Sequence, residues 1–371
     1  LGIFRCFDCL HIALLCSKEN IAMLLNLLFL VSGLALILVG ANALTDGASA
    51  LARRWGVSDL VVGLTVVAFG TSAPELAISV LSAIGGSAGL AVGNVVGSNI
   101  FNLLCIIGVV ALCHPVRVEK SLLANDIPLV LLSSAALLAI GGSAWLGVAG
   151  APEVNRTDAL LLILFFAIFL HYTFSRACRS SVSAAGPPQE EKAAQAIPAM
   201  KLWKALLWVV GGLAMLISGG NIFVRGASGL ASAFGVSEDI IGLTIVAAGT
   251  SLPELAASVV AARKGKTGIA VGNVVGSNIL NVLIILGLTA CVATLSVAKS
   301  TIRIELPYMI FISLLLLLFG WTGNEITFWE GVALWAAFLL YLGYLFWMAK
   351  KNKETPPEEE TPQPLWKLLL F

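Results

Sequence analysis

The chain has 371 residues, 58% of them hydrophobic and only 12% charged, with a formal net charge of +1 and a mean hydropathy of +0.96. A soluble domain carries about 25% charged residues, so this composition excludes an ordinary soluble fold. The net charge by itself says nothing about nucleic acid, but no sizeable basic patch is visible and no nucleic-acid partner is expected. What remains is an all-α polytopic membrane protein, the architecture in which each spanning segment satisfies its own backbone.

Residues 1–22, which include LGIFRCFDCLHIALLCSKEN, fit poorly with the rest of the chain and show no small-residue cleavage site. They are read as a leader added by an upstream start and are given no function. Ten apolar segments of spanning length come next, near 23–43, 60–83, 91–113, 122–140, 158–175, 203–222, 239–262, 269–292, 305–320 and 328–348. They divide into a first transmembrane repeat over 23–175 and a second over 202–348, each of five helices. Between them lies a linker loop, 176–201, centred on SAAGPPQEEKAAQ and too short for a domain. A polar tail, 349–371, comes after the last span. Lys and Arg number 10 in the termini and even loops and 12 in the odd loops, so charge bias does not orient the chain. The seven cysteines are scattered, and even the Cys6–Cys9 pair is read as small apolar side chains rather than a metal or redox site.

The strongest signal is internal. Aligning residue n with n+179 leaves 29 of 45 residues identical between 60–104 and 239–283. GTSAPE (70–75) meets GTSLPE (249–254), GNVVGSN (93–99) meets GNVVGSN (272–278), Asn102 meets Asn281 and Asn42 meets Asn221. With five spans between equivalent points, the second copy crosses the membrane in the opposite sense, an inverted-topology duplication of the kind found in secondary transporters.

Glu75 and Glu254 lie near the middle of their spans. A charge there costs at least ~2.5 kcal/mol on insertion scales and normally faces a cavity, a partner or an ion. No Lys or Arg lies at a similar depth in the sequence to pair with either, which favours a cation. Thr71 and Ser72 stand at i, i+3 and i+4 spacing with Glu75, and Thr250 and Ser251 repeat this around Glu254. Pro74 and Pro253 lack an N–H and clash one turn back, so each helix is expected to kink or break beside its glutamate and free backbone carbonyls. Ser98 with Asn102, and Ser277 with Asn281, add oxygens at i, i+4 in the next span. Asn94, Asn99, Asn273 and Asn278 rank lower as ligands and are expected to hold the broken helices together. GNVVG is also a GxxxG packing signature. This all-oxygen pool suits Ca²⁺, which takes 6–8 such ligands; the same oxygens could hold Na⁺ in smaller subsites.

GTSAPE…GNVVGSNIFN and GTSLPE…GNVVGSNILN resemble the paired repeats of the cation/Ca²⁺ antiporter superfamily, in particular the prokaryotic sodium/calcium exchangers, and the resemblance runs from residue 23 to about 348. It implies a ten-helix fold of two inverted five-helix repeats, with ions held between the broken second, third, seventh and eighth helices. The first and sixth helices slide past that core. Carried over by motif, the metal site is Ala68, Thr71, Ser72, Glu75, Ser98 and Asn102 with Ala247, Thr250, Ser251, Glu254, Ser277 and Asn281, the alanines contributing carbonyls. Several exchangers have an aspartate where this chain has Asn281, so its site holds two carboxylates rather than three.

The expectation is a secondary active antiporter exchanging Na⁺ for Ca²⁺ by alternating access, not an enzyme, with no cofactor beyond the transported ions. An H⁺- or K⁺-coupled exchanger is the alternative, and a cation channel a more distant one. The protein is expected to work as a monomer in the lipid bilayer of a prokaryotic inner membrane, with both termini outside.

Overall fold

The structure, a computed structural model, describes residues 2–86, 88–142, 152–183, 200–234 and 247–352. It is helical almost throughout. Helix α1 is Gly2–Trp55, with Ile21–Trp55 its apolar length. Then come α2, Asp59–Thr71, and α3, Ala73–Ile84, joined at a 44° bend. Next are α4 (Ala88–Cys113), α5 (Leu122–Gly141), α6 (Arg156–Ser183) and α7 (Leu202–Ala233). The chain resumes with α8 (Ala247–Thr250), α9 (Leu252–Arg263), α10 (Thr267–Val292), α11 (Thr301–Gly323) and α12 (Phe328–Asn352). Among the described residues, eight helices are long and apolar enough to cross a bilayer, and the bent α2–α3 pair makes a ninth span. The expected seventh span, 239–262, begins outside the described residues; α8 and α9 are its remainder.

Helix ends outrun the hydropathy. Hydropathy places the first span at 23–43, yet α1 stays helical to Trp55 through ANALTDGASALARRW. Alanine and leucine keep the backbone helical, and Arg53 and Arg54 oppose the partial negative charge of its last turn. Similarly α7 runs past 222 and α6 runs past 175 into the expected linker. Gly56, at φ 65°, stops α1: its N–H donates to the Arg53 carbonyl and that of Val57 to the Ala52 carbonyl, the paired bonds of a Schellman end. Gly265, at φ 72°, ends α9 in the same way.

At the centre, α10 packs on α2 and α9, while α4 packs on α3. The second halves of α4 and α10 are covered by α12 and α6 respectively, and α5 packs on α11. Outside this core, α1 and α7 lie against each other. Their contact is made by glycines recurring every seven residues, Gly33, Gly40 and Gly47 on α1 and Gly212, Gly219 and Gly226 on α7, each pair of equivalents again 179 apart. A Cβ on Gly33 would stand 2.5 Å from the Phe223 nitrogen, on Gly40 2.8 Å from the Gly212 carbonyl, and on Gly47 2.9 Å from the Ala205 carbonyl. As the α1 number rises the α7 number falls, so the two helices run antiparallel at backbone contact.

Two short antiparallel strand pairs tie the halves together. Val116–Arg117 (β1) pairs with Glu325–Ile326 (β4), and Glu153–Val154 (β2) with Leu295–Ser296 (β3). The ion pairs Lys264–Asp46 (2.7 Å) and Lys266–Asp59 (3.1 Å) join the end of α9 and start of α10 to α1 and α2. They lie at the end of the bundle where α1 stops and α7 starts.

Candidate ion-binding site

The bend beside Glu75 falls at Ser72, whose backbone (φ −82°, ψ 6°) leaves the helix between α2 and α3. Pro74 then sits in the first turn of α3, where a missing N–H costs nothing. Ser251 (φ −92°, ψ 6°) breaks the second copy between α8 and α9, with Pro253 in the same place. The sequence expectation of a kink near each glutamate is met two residues before the proline. Both carboxylates lie in the first turn of the restarted helix, where the exposed N–H groups favour negative charge.

The break also changes which groups meet. The serines cross over: the Ser251 hydroxyl donates to Glu75 Oε1 at 3.1 Å, and the Ser72 hydroxyl donates to Glu254 Oε1 at 3.1 Å. Ser98, on α4, donates to Glu75 Oε1 at 3.5 Å and lies 3.1 Å from the Ser251 hydroxyl. Glu75, Thr71, Asn102 and Asn281 are all buried. Ala68 is buried one turn before the break, and its carbonyl accepts from the Thr71 hydroxyl at 3.4 Å. Thr250 is half-buried at the end of α8, and Ala247 opens that helix. Thus the twelve residues singled out by motif lie at the two breaks and on the facing stretches of α4 and α10.

The remaining asparagines bind these pieces together. Asn94 donates to the Glu75 carbonyl (3.4 Å) and the Ser79 hydroxyl (3.1 Å); Asn273 donates to the Glu254 carbonyl (3.3 Å) and the Ser258 hydroxyl (3.0 Å). Thr71 also reaches Asn273 Oδ1 at 3.0 Å. On α4 and α10, Asn99 and Asn278 face each other and bond to each other's backbone. Five-residue turns of wider, π-type helix start at Asn102 and Asn281, a distortion often found at functional sites.

Among the described residues several buried polar atoms have no hydrogen-bond partner: Oε2 of Glu75 and Glu254, Oδ1 of Asn102 and Asn281, and the Ser277 hydroxyl. Buried acceptors left so cost about 1–3 kcal/mol each. The ion pairs among the described residues join Asp126, Asp46 and Asp59 to basic groups, and neither glutamate takes part. Two carboxylates and two amide oxygens lacking donors are a hard oxygen set that a cation satisfies. No cluster of three or more His, Cys, Asp or Glu occurs among the described residues, which leaves hydroxyl, amide and carbonyl oxygens to complete any coordination.

Sequence reasoning passed over a second buried acidic pair. Asp126 on α5 is ion-paired to Arg176 on α6 at 3.1 Å, and Glu305 on α11 accepts from the Thr301 hydroxyl at 2.9 Å. Positions 126 and 305 are also 179 apart, so extending the repeat alignment beyond its most identical stretch would have found them.

A family model described as sodium/calcium exchanger protein matches residues 25–175 and 204–347. The sodium/calcium exchanger MaX1 of Methanosarcina acetivorans is 35% identical over 346 residues, covering 87% of this chain and 99% of its own. The inner membrane protein YrbG of Escherichia coli is 33% identical over 332 residues, covering 88% and 98%. Among solved structures, the sodium-calcium exchanger NCX_Mj soaked with zero Na⁺ and Ca²⁺ superposes with a TM-score of 0.73 at 29% identity, covering 87% of this chain and 99% of that one.

Proposed function

Since the chain belongs to the sodium/calcium exchanger family of secondary transporters, we propose that it exchanges Na⁺ for Ca²⁺ across the membrane by alternating access. One observation carries this reading: among the described residues two buried glutamates each keep an unpartnered oxygen, as do the amides of Asn102 and Asn281, and neither glutamate has a basic residue in an ion pair. Two negative charges balance one Ca²⁺. Na⁺ uses the same oxygens, so the two ions exclude each other. With neither bound, two uncompensated charges disfavour the passage of α1 and α7 across the core. Coupling is then an electrostatic consequence of the site.

The ions are proposed to lie among Ala68, Thr71, Ser72, Glu75, Ser98, Asn102, Ala247, Thr250, Ser251, Glu254, Ser277 and Asn281. The whole is proposed as ten spans in two inverted halves, 23–175 and 202–348. The antiparallel α1 and α7, the first span of each half, support that inversion. So do the strand pairs, in which β1 and β3 stand 179 residues apart and each binds the opposite half. The inner membrane is the proposed location, by likeness to YrbG. A cycle of three Na⁺ for one Ca²⁺ moves one net charge, worth ~2.3 kcal/mol per 100 mV.

The test is ⁴⁵Ca²⁺ uptake into proteoliposomes loaded with Na⁺ and diluted into Na⁺-free buffer. Uptake is expected with the outward Na⁺ gradient and not with K⁺ loading alone. Asn281 keeps a second reading in view, because an amide removes one charge from the site. Uptake driven solely by an imposed pH gradient would replace Na⁺ by H⁺ as the coupling ion.

A further inference from the structure

The geometry points to Asn99 and Asn278 as positioning residues that fix which end of the Asn281 and Asn102 amides faces the ions. This rests on the exchange reading above and adds to it a pair that the motifs rank outside the ligands. Two backbone groups admit no choice of polarity. A backbone carbonyl only accepts, so the bonds from Asn278 Nδ2 to the Asn99 carbonyl (3.3 Å) and from Asn99 Nδ2 to the Asn278 carbonyl (3.2 Å) set both amides. Each Oδ1 is thereby aimed away from that carbonyl and must find a donor.

The donors are the next amides along. Asn102 Nδ2 donates to Asn278 Oδ1 at 3.0 Å, and Asn281 Nδ2 donates to Asn99 Oδ1 at 2.9 Å and, more loosely, to the Ser98 hydroxyl at 3.3 Å. With their nitrogens committed, Asn102 and Asn281 are left presenting oxygen, and those two oxygens have no partner among the described residues. All four side chains are fully buried, so water does not reset them. An amide turned the other way would offer hydrogens to a cation. The relay of polarity, from carbonyl to amide to amide, makes two freely rotatable side chains into fixed acceptors. It is crossed: Asn99 on α4 sets Asn281 on α10, and Asn278 on α10 sets Asn102 on α4.

The crossing supplies the experiment. Asn99→Ser and Asn278→Ser are each made alone, in the Asn102→Ala background and in the Asn281→Ala background, and Na⁺-driven ⁴⁵Ca²⁺ uptake is measured against Ca²⁺ concentration. Loss of one oriented bond is expected to raise the half-saturating Ca²⁺ about tenfold, more than it lowers the saturated rate. Asn278→Ser should add nothing further once Asn102 is alanine, yet keep its full effect once Asn281 is alanine; Asn99→Ser should do the reverse. Equal effects in both backgrounds, or a fall in saturated rate with unchanged half-saturation, would overturn the relay. Threonine at either position serves where serine prevents folding. Melting of the same variants in ion-free detergent separates the two claims. Wild-type protein without Ca²⁺ uptake under any gradient overturns the exchange reading alone. The relay still requires non-additive melting shifts for 99 with 281 and 278 with 102, and additive shifts would refute it.

Discussion

The core helices α4 and α10 and the outer helices α1 and α7 are all apolar, and they use their sequences in opposite ways. Of the most apolar stretches of α4 and α10, 78% and 89% is buried within the protein, against 11% and 28% for α1 and α7. Across the core the two halves keep 29 of 45 residues, because most side chains there meet another and several must present an oxygen in a set direction. On α1 and α7 most positions face lipid, where one apolar residue serves as well as another. The outer pair is less alike, but it keeps a glycine at every seventh residue, where its mutual contact leaves no room for a Cβ, together with a few other residues such as Asn42 and Asn221. In the core, sequence specifies chemistry; at the periphery it specifies clearance.

The contrast can be broken at its strongest point by Glu75→Gln or Glu254→Gln. Either keeps the shape and removes the charge, so Na⁺-driven ⁴⁵Ca²⁺ uptake should fall to background while size-exclusion and melting profiles stay those of folded protein. Normal uptake would remove the glutamates from the site. Next in size is Arg176→Ala, in the scaffold between core and lipid. It leaves Asp126, 1% exposed, as an unpaired buried charge, a loss of about 3–5 kcal/mol that thermal melting would register. Asp126→Asn in the same chain should recover much of it. A wedge in the outer pair should cost less stability and act on motion. Gly212→Val pushes a branched side chain against the Leu44 backbone, whose nitrogen would lie 2.6 Å from the Cβ, costing about 1–3 kcal/mol. The saturated rate should drop with little change in half-saturating Ca²⁺. A change in affinity instead would mean that α1 and α7 shape the site directly. The smallest effect is expected of Lys264→Ala. Its pair with Asp46 is partly exposed and worth less than about 1 kcal/mol. Because it joins α9 to α1 at one end of the bundle, its loss should show as faster solvent labelling of single cysteines at that end.

Much of this was legible in the sequence, for reasons that differ by element. Spans were readable because a bilayer demands about twenty apolar residues. The breaks were readable because proline lacks an N–H. The ends of α1, α6 and α7 were not, since helical hydrogen bonding continues after hydropathy stops. The crossing of Ser72 to Glu254 and Ser251 to Glu75 was hidden because spacing along one helix says nothing about a partner some 180 residues away. Asn99 and Asn278 point about 100° from the serines, which hid their part in the site. That angle is what lets them hold the neighbouring amides from behind.

The two strand pairs carry a consequence for synthesis. Val116 finds its ladder partner at Ile326, and Val154 at Leu295, so the connections of the first half have nothing to bond until most of the second has left the ribosome. The same delay holds inside the bilayer: Thr71 waits for Asn273, 202 residues downstream, and Glu75 waits for Ser251. A nascent chain released after α6 would hold a bent span and an acidic group with no donor from the other half. The bonds that join the two copies can therefore form only after the second copy is made, and the connection at 325–326 is the last to reach its partner at 116–117.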